Sequence, residues 1–535
     1  MTADQAAASA PEQYEFLVGL LLAILILELV SRRLRLPQAA AFILGGGLLA
    51  VLPGVPTLSI DPDLVMLVFL PPLLMNGGYF TAWGEFRENL GGIALLAIGA
   101  VAFTTVSVGV VAHLLAPDLP WAVCFALGAI VSPPDAVSAG AILERLSLPG
   151  HLTATLQGES LLNDASGLVL FRFALAAALT GAFSATAATA QFAVLAIGGV
   201  AFGCLIGAAG IAALRRLRDS ELAILATLLL PPIAYIGGER LGVSGVLATV
   251  AAGVLVGRKQ HGVLTAATRI RAQAFWKVLV FLLESILFIL IGLALRDVLA
   301  RLSGTCSSRS VTWEPVAGVV AAVIVSRFVW VFGSYIGRLA AHRLGLTSTR
   351  KPSPAVATVM SWAGMRGVVT LAAALSLPTG LPGRDFVLVS AFAVILVTVL
   401  VQGTTLGPLI KTLRLSGADE LALRQETSHH AWARMMQAQY DSVAQSSRQP
   451  DGTELHPRLL EQYGRRASLA RSYLDDPEPH QAAKIEHHTA VVRAIKAGRG
   501  EILRLHTSGE LHDEVLRSLE HELDLQQLAA EGYLG

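Results

Sequence analysis

Apolar residues in this chain come in long runs rather than in the short alternations of a water-soluble core. A window of about nineteen residues picks out runs near 14–31, 36–54, 62–80, 89–116, 120–144, 152–180 and 190–214. A second set follows near 221–238, 241–257, 275–300, 314–341, 354–377 and 385–411. At about 1.5 Å rise per residue, most of these are long enough to cross a hydrocarbon core of roughly 30 Å. The pattern predicts an all-α polytopic membrane protein of about thirteen transmembrane helices, with the lipid bilayer as solvent for residues 14–411. The second run is rich in glycine at Gly45-Gly46-Gly47 and the third contains Pro71-Pro72, so neither is expected to be a straight helix.

The basic residues between runs set an orientation. One set of loops carries Arg32, Arg33, Arg35, Arg87, Arg145, Arg215, Arg216, Arg218, Arg258, Lys259, Arg269, Arg271, Lys277, Arg338, Arg343, Arg350 and Lys351. The alternate set holds only Arg240, Arg296, Arg301, Arg309 and Arg384. By the positive-inside rule the first set is cytoplasmic. An odd number of spans then puts the N-terminus (residues 1–13) outside and the C-terminus inside. From about Leu415 the chain turns charged and polar, which predicts a helical cytoplasmic tail over 412–535 with a loop at Gln449-Pro450-Asp451-Gly452. The tail reads as a dimerisation or regulatory element. Its adjacent pairs His429-His430 and His487-His488 lack ligand spacing and cysteine partners, so they read as surface residues.

Composition agrees. The chain is 54% hydrophobic and 15% charged, with a mean hydropathy of +0.61, which excludes an ordinary soluble globule. A net charge of +1 gives no reason to expect a nucleic-acid partner. Cys124 and Cys204 lie in apolar runs and Cys306 in a loop, so neither a disulfide framework nor a metal cluster is expected. Met1 to Glu15 lacks a basic leader, and the first run reads as a retained span.

Charge inside the apolar runs marks the chemistry. The sixth run contains Gly158-Glu159-Ser160-Leu161-Leu162-Asn163-Asp164-Ala165-Ser166-Gly167. At about 100° per residue Glu159, Ser160, Asn163 and Asp164 fall within roughly 140°, one polar stripe. An ionisable group at that depth costs at least ~2.5–3.5 kcal/mol on insertion scales, so it is kept for an ion or proton path or for a partner. The bland alternative is a polar clamp between helices.

Two runs carry signs of interruption. In the fifth, Ser132-Pro133-Pro134-Asp135 removes two backbone donors directly before a carboxylate. The freed carbonyls and half-helix ends are tolerable only where protein or a watery cavity shields them. In the twelfth, Gly364-Met365-Arg366-Gly367 places an arginine between glycines at mid-depth. Arg366 needs an anionic partner, and Glu159 or Asp135 could serve. Arg327 and Glu284 are further intramembrane charges, which pairing or snorkelling accounts for. The interrupted runs are the fifth of runs one to six and the fifth of runs eight to thirteen. That symmetry predicts two inverted six-helix repeats, joined by the seventh, whose broken helices (5 and 12) cross near the midplane.

Glu159-Ser160-Leu161-Leu162-Asn163-Asp164, the break at Pro134-Asp135 and Gly364-Met365-Arg366-Gly367 resemble the monovalent cation:proton antiporter family, in its Asn-Asp branch of electroneutral sodium/proton exchangers of bacterial type. The likeness covers roughly residues 14–411. It implies that Asp164 binds the cation or proton, that Ser160 and Glu159 assist, and that Glu159 forms a structural ion pair with Arg366. Asp135 would balance the helix ends at the crossing, and Asn163 precedes the binding aspartate. The resemblance also implies a homodimer that moves a core bundle against a dimerisation bundle. One departure stands out: the family reads Thr-Asp-Pro at the first break where this chain has Pro134-Asp135-Ala136. A hydroxyl is lost there, the Pro134 carbonyl remains as a ligand, and Ser132 or Ser138 could replace the hydroxyl.

The function implied is secondary antiport of a monovalent cation against a proton, in the service of pH and cation homeostasis. Sodium is the first candidate cation, with potassium and lithium open, and Asp164 and Ser160 are its oxygen ligands. No cofactor and no enzymatic activity are expected. Asp164 alone titrates once Glu159 is held, so exchange is expected to be electroneutral, one for one. A cation channel would use rings of carbonyls or charges and no Arg-held carboxylate. An intramembrane aspartyl protease on Asp135 and Asp164 would leave Asn163 and Arg366 without a role. A sodium-coupled solute symporter of similar architecture differs in needing an organic solute.

Overall fold

The computed structural model describes residues 10–51, 65–135, 150–181, 185–296, 298, 313–345, 353–415, 418–448, 454–475 and 477–532. Among them all regular structure is helical, apart from one isolated bridge between Arg448 and Glu454. The chain divides into two compact units, Met1–Gly417 and Ala418–Gly535.

In the first unit every predicted apolar run overlaps helix. The elements are α1 (Ala10–Leu34), α2 (Gln38–Val51), α3 (Met66–Phe80), the short α4 (Trp83–Glu88), α5 (Leu90–Leu115), α6 (Trp121–Val131), α7 (Gly150–Thr180) and α8 (Ala185–Arg216). Then follow α9 (Ser220–Arg240), α10 (Gly245–Lys259), α11 (Ala266–Leu293), α12 (Trp313–Arg343), α13 (Pro354–Trp362), α14 (Val368–Leu375) and α15 (Arg384–Thr412). Among the described residues, seven helices are by themselves long and apolar enough to cross a membrane, and three shorter apolar ones accompany them.

The helices pack mainly within two groups. One contains α1, α2, α3, α8, α9, α10 and α11; the other contains α5, α6, α7, α12, α13, α14 and α15. In lipid there is no hydrophobic drive between apolar helices, so close approach and packing hold them together. Small residues supply it in the first group. A Cβ on Gly292 of α11 would lie 2.6 Å from the Gly47 nitrogen of α2, and one on Gly253 of α10 would lie 2.8 Å from the Met75 carbonyl of α3. Gly45-Gly46-Gly47 therefore serves as a contact face within a continuous helix. The Pro71-Pro72 pair sits at the start of the α-helical part of α3, after a π-helical turn over Val65–Phe69, where proline takes no hydrogen bond from the helix.

The second unit holds α16 (Ala418–Ser447), α17 (Pro457–Asp475), α18 (Pro477–Thr507) and α19 (Asp513–Glu531). Ala433, Met436, Ala467 and Ala470 form the small core between α16 and α17. The expected loop at Gln449-Pro450-Asp451-Gly452 lies outside the described residues.

Candidate functional site

Both interruptions are present. Helix α6 stops at Val131 and Ser132–Asp135 continues without helix; α13 stops at Trp362 and α14 restarts at Val368. The two irregular stretches touch, the Asp135 N–H donating to the Met365 carbonyl at 2.7 Å.

Arg366 is 1% exposed and is satisfied by helix ends. Its Nε donates to the carbonyl of Val131, the last residue of α6, at 2.6 Å, and its Nη1 donates to Gly364, just past α13. Carbonyls at a helix C-terminus carry the negative end of the dipole, so two such ends neutralise part of the guanidinium charge. The Arg366 N–H donates to Thr398 Oγ1 at 3.0 Å. Thr398 opens a π-helical turn in α15 (Thr398–Gln402), a distortion that recurs at functional sites. Asp135 occupies the opposite kind of end. Its carboxylate lies against Gly367, the residue before α14, where any Cβ would collide with Oδ2. A negative group thus stands at the positive end of α14.

The polar stripe on α7 is divided between two faces. Glu159 and Asn163, four residues apart, are 1% and 0% exposed and point into the second group of helices. Asn163 Nδ2 donates to the Pro134 carbonyl at 2.8 Å. Ser160 and Asp164, also four apart, line a cavity of about 590 Å³ between the two groups. Opposite faces of that cavity come from Gln38 of α2, Leu70 to Phe80 of α3 and Gln273 to Phe288 of α11 on one side, and Pro133, Asp135, α7 and Gly367 to Thr370 on the other. Phe80, Gln157, Gln273 and Lys277 on the cavity wall are exposed, so the cavity reaches the surface on the side of the basic loops.

Three expectations are revised by this geometry. Glu159 does not make its direct pair with Arg366. Arg327 of α12 binds it through both oxygens, Nη1 to Oε1 at 2.6 Å and Nη2 to Oε2 at 3.0 Å, with side chains 4% and 1% exposed. Arg327 Nε also donates to the Met360 carbonyl of α13 at 3.0 Å. The physical reason is that the carbonyls already described satisfy Arg366, while Arg327 has no helix end to bond except through Met360. Second, Pro134 gives its carbonyl to Asn163, and Pro133 rather than Pro134 lines the cavity. Third, Ser132 donates to the Ala129 carbonyl at 3.0 Å and receives Thr105 Oγ1 at 3.3 Å, away from the cavity; Ser138 lies outside the described residues. Glu284 is on the cavity wall, on α11. Thr398 escaped the sequence reading because a threonine in an apolar run carries no distinguishing pattern. Among the described residues no group of three or more His, Cys, Asp or Glu could hold a resident metal.

Discontinuous helices whose breaks meet beside a carboxylate-lined cavity, between two groups of membrane helices, are the arrangement of a secondary transporter. The transmembrane sodium/hydrogen exchanger family matches residues 18–412, and the chain belongs to it. It is 32% identical over 435 residues to a sodium, potassium, lithium and rubidium/H(+) antiporter of Bacillus pumilus, covering 78% of this chain and 64% of that one. It is 34% identical over 364 residues to the Na(+)/H(+) antiporter NhaP of Pseudomonas aeruginosa, covering 66% and 81%. The fold is similar to that of the sodium proton antiporter MjNhaP1 from Methanocaldococcus jannaschii, with a TM-score of 0.59 at 21% identity, covering 75% of this chain and 99% of the other. The chain is therefore a multi-pass membrane protein of the transporter kind.

Proposed function

We propose that this protein exchanges a monovalent cation for a proton across the membrane, with the Asp164 carboxylate holding each in turn. The observation that carries this reading is the face of α7 on which Ser160 and Asp164 stand together on the wall of the cavity, beside Asp135 and the start of α14. A hard monovalent cation takes oxygen ligands, which Asp164 and Ser160 offer. Glu159 and Asn163 act as positioning residues: Glu159 ties α7 to α12, and Asn163 ties it to the broken end of α6. Asp135 and Arg366 balance the half-helix ends at the crossing.

Sodium is the first candidate; the Bacillus pumilus relative is named for potassium, lithium and rubidium as well, so these are candidates too. The protein works as a transporter without cofactor or catalysis, as a homodimer in the cell membrane. Its N-terminus is outside and residues 412–535 are cytoplasmic. The two interrupted helices belong to inverted repeats. With this orientation the cavity faces the cytoplasm, because Arg32, Arg87 and Lys277 lie at its end of the helices.

The test is cation-driven proton movement in proteoliposomes, measured with sodium, potassium and lithium in turn. Asp164→Asn should insert, purify as a folded protein and fail to exchange any of the three. Exchange at the parent rate by that variant would remove the reading.

A further inference from the structure

The cavity reaches Asp164 from one side only, and the other side of the same seam is closed in two layers. The first layer is apolar. Beyond Asp164 from the cavity mouth, Ala165 and Leu168 of α7 belong to one apolar cluster with Met66 of α3 and with Val246 and Leu247 of α10, all buried or half-buried. The second layer is ionic. Arg172 of α7 donates through Nη2 to Glu239 Oε2 of α9 at 2.8 Å. Glu239 in turn accepts the N–H of Gly245, the first residue of α10, at 3.2 Å through its other oxygen. Arg172 lies eight residues beyond Asp164, about 12 Å further along α7 and away from the cavity mouth. The pair thus bridges the two groups of helices where they meet at the turn between α9 and α10.

We infer that Arg172 and Glu239 form the outer latch of the transporter, made when the cavity faces the basic loops and broken when Asp164 faces the opposite side. Exchange at a single carboxylate requires that Asp164 be reached from each side in turn, so the seam beyond it must open once per cycle. Buried apolar contacts alone separate without directional preference, whereas an ion pair holds one alignment of α7 against α9. The side chains of Arg172 and Glu239 are 47% and 28% exposed. A pair that open to solvent has little net worth, which suits a contact made and broken every turnover. The contrast is Glu159 with Arg327, buried within one group and kept throughout the cycle.

The inference rests on exchange at the cavity, and the two fail separately: the former by exchange in cross-linked protein, the latter by exchange in the Asp164→Asn variant. The experiment uses the full chain with Cys124, Cys204 and Cys306 replaced by serine, carrying Arg172→Cys and Glu239→Cys. A short bis-methanethiosulfonate joins the two thiols and reductant releases them. Joined protein is expected to lose at least tenfold in exchange rate and to regain it on reduction, while each single-cysteine protein treated alike keeps its rate. Joined protein that exchanges at the unlinked rate overturns the latch, and so does failure of the thiols to join in protein that still exchanges. A second measurement covers the case in which the double variant does not fold. Leu168→Cys, one turn beyond Asp164, should react several-fold faster with an impermeant maleimide applied from the face opposite the basic loops once Arg172→Gln is added. An unchanged rate there equally overturns the latch.

Discussion

Arg327 grips Glu159 by both carboxylate oxygens in a site where neither side chain is more than 4% exposed. Removing one partner of such a pair leaves an uncompensated buried charge, which costs about 3–5 kcal/mol. Arg327→Ala is therefore expected to unfold at a clearly lower temperature in detergent than the parent. Adding Glu159→Gln to it should restore part of the loss, because the stranded charge is gone. If Glu159→Gln rescues Arg366→Ala and not Arg327→Ala, the pairing has been misassigned.

Gly367 is a second point of control. The Asp135 carboxylate occupies the space that a side chain at Gly367 would need, so Gly367→Ala must displace Asp135 or the start of α14. It is expected to lower exchange more than tenfold in protein that still inserts. Gly337→Ala on α12, where a Cβ meets nothing within 4 Å, is the matched control and should exchange normally. Equal rates for the two variants would mean that the position of Asp135 is immaterial.

Much of this site was legible in the sequence, for identifiable reasons. Hydropathy is a local property, and each apolar run overlaps helix among the described residues. Gly364 and Gly367 around Arg366, and Pro133-Pro134 before Asp135, marked the two interruptions because each combines a break with a charge. A proline pair alone is not enough: Pro231-Pro232 lies inside α9, which continues through it. The identity of the Glu159 partner was not legible, since 168 residues separate it from Arg327 and nothing local joins them. Nor was the division of the stripe. An arc of roughly 140° is wide enough to face two neighbours at once, and only the placement of α6 and α12 decides that Glu159 and Asn163 turn inward while Ser160 and Asp164 face the cavity.

That division makes Asn163 separable from Asp164 by experiment. Asn163→Ala deletes the donor to the buried Pro134 carbonyl, and an unsatisfied buried acceptor costs about 1–3 kcal/mol. The variant is expected to show a lower unfolding temperature and a lower maximal rate, with the apparent cation affinity of the surviving protein changed less than twofold. A large loss of affinity at unchanged stability would make Asn163 a direct ligand.

The one-for-one stoichiometry expected of the proposed exchange rests on which carboxylates are held by fixed partners. Glu159 is held by Arg327, and Asn163 carries no charge and faces away from the cavity. Asp135 is fixed at the start of α14 by its contact with Gly367 and its backbone bond to Met365. On the function proposed above, Asp164, on the cavity wall beside Ser160, is the group that alternates between one cation and one proton. Both compete for the same oxygens, so exchange should fall at low pH, where the proton stays bound, and at high pH, where the returning proton is scarce. Raising the cation concentration should relieve the acid limb and leave the alkaline limb in place. No net charge then crosses per cycle, and clamping the membrane potential in proteoliposomes with valinomycin and sodium as the exchanged cation should leave the rate unchanged. A rate that follows the potential would mean that a second wall carboxylate, Asp135 or Glu284, also carries a proton. Asp135→Asn and Glu284→Gln, tested separately for return to potential independence, would identify which.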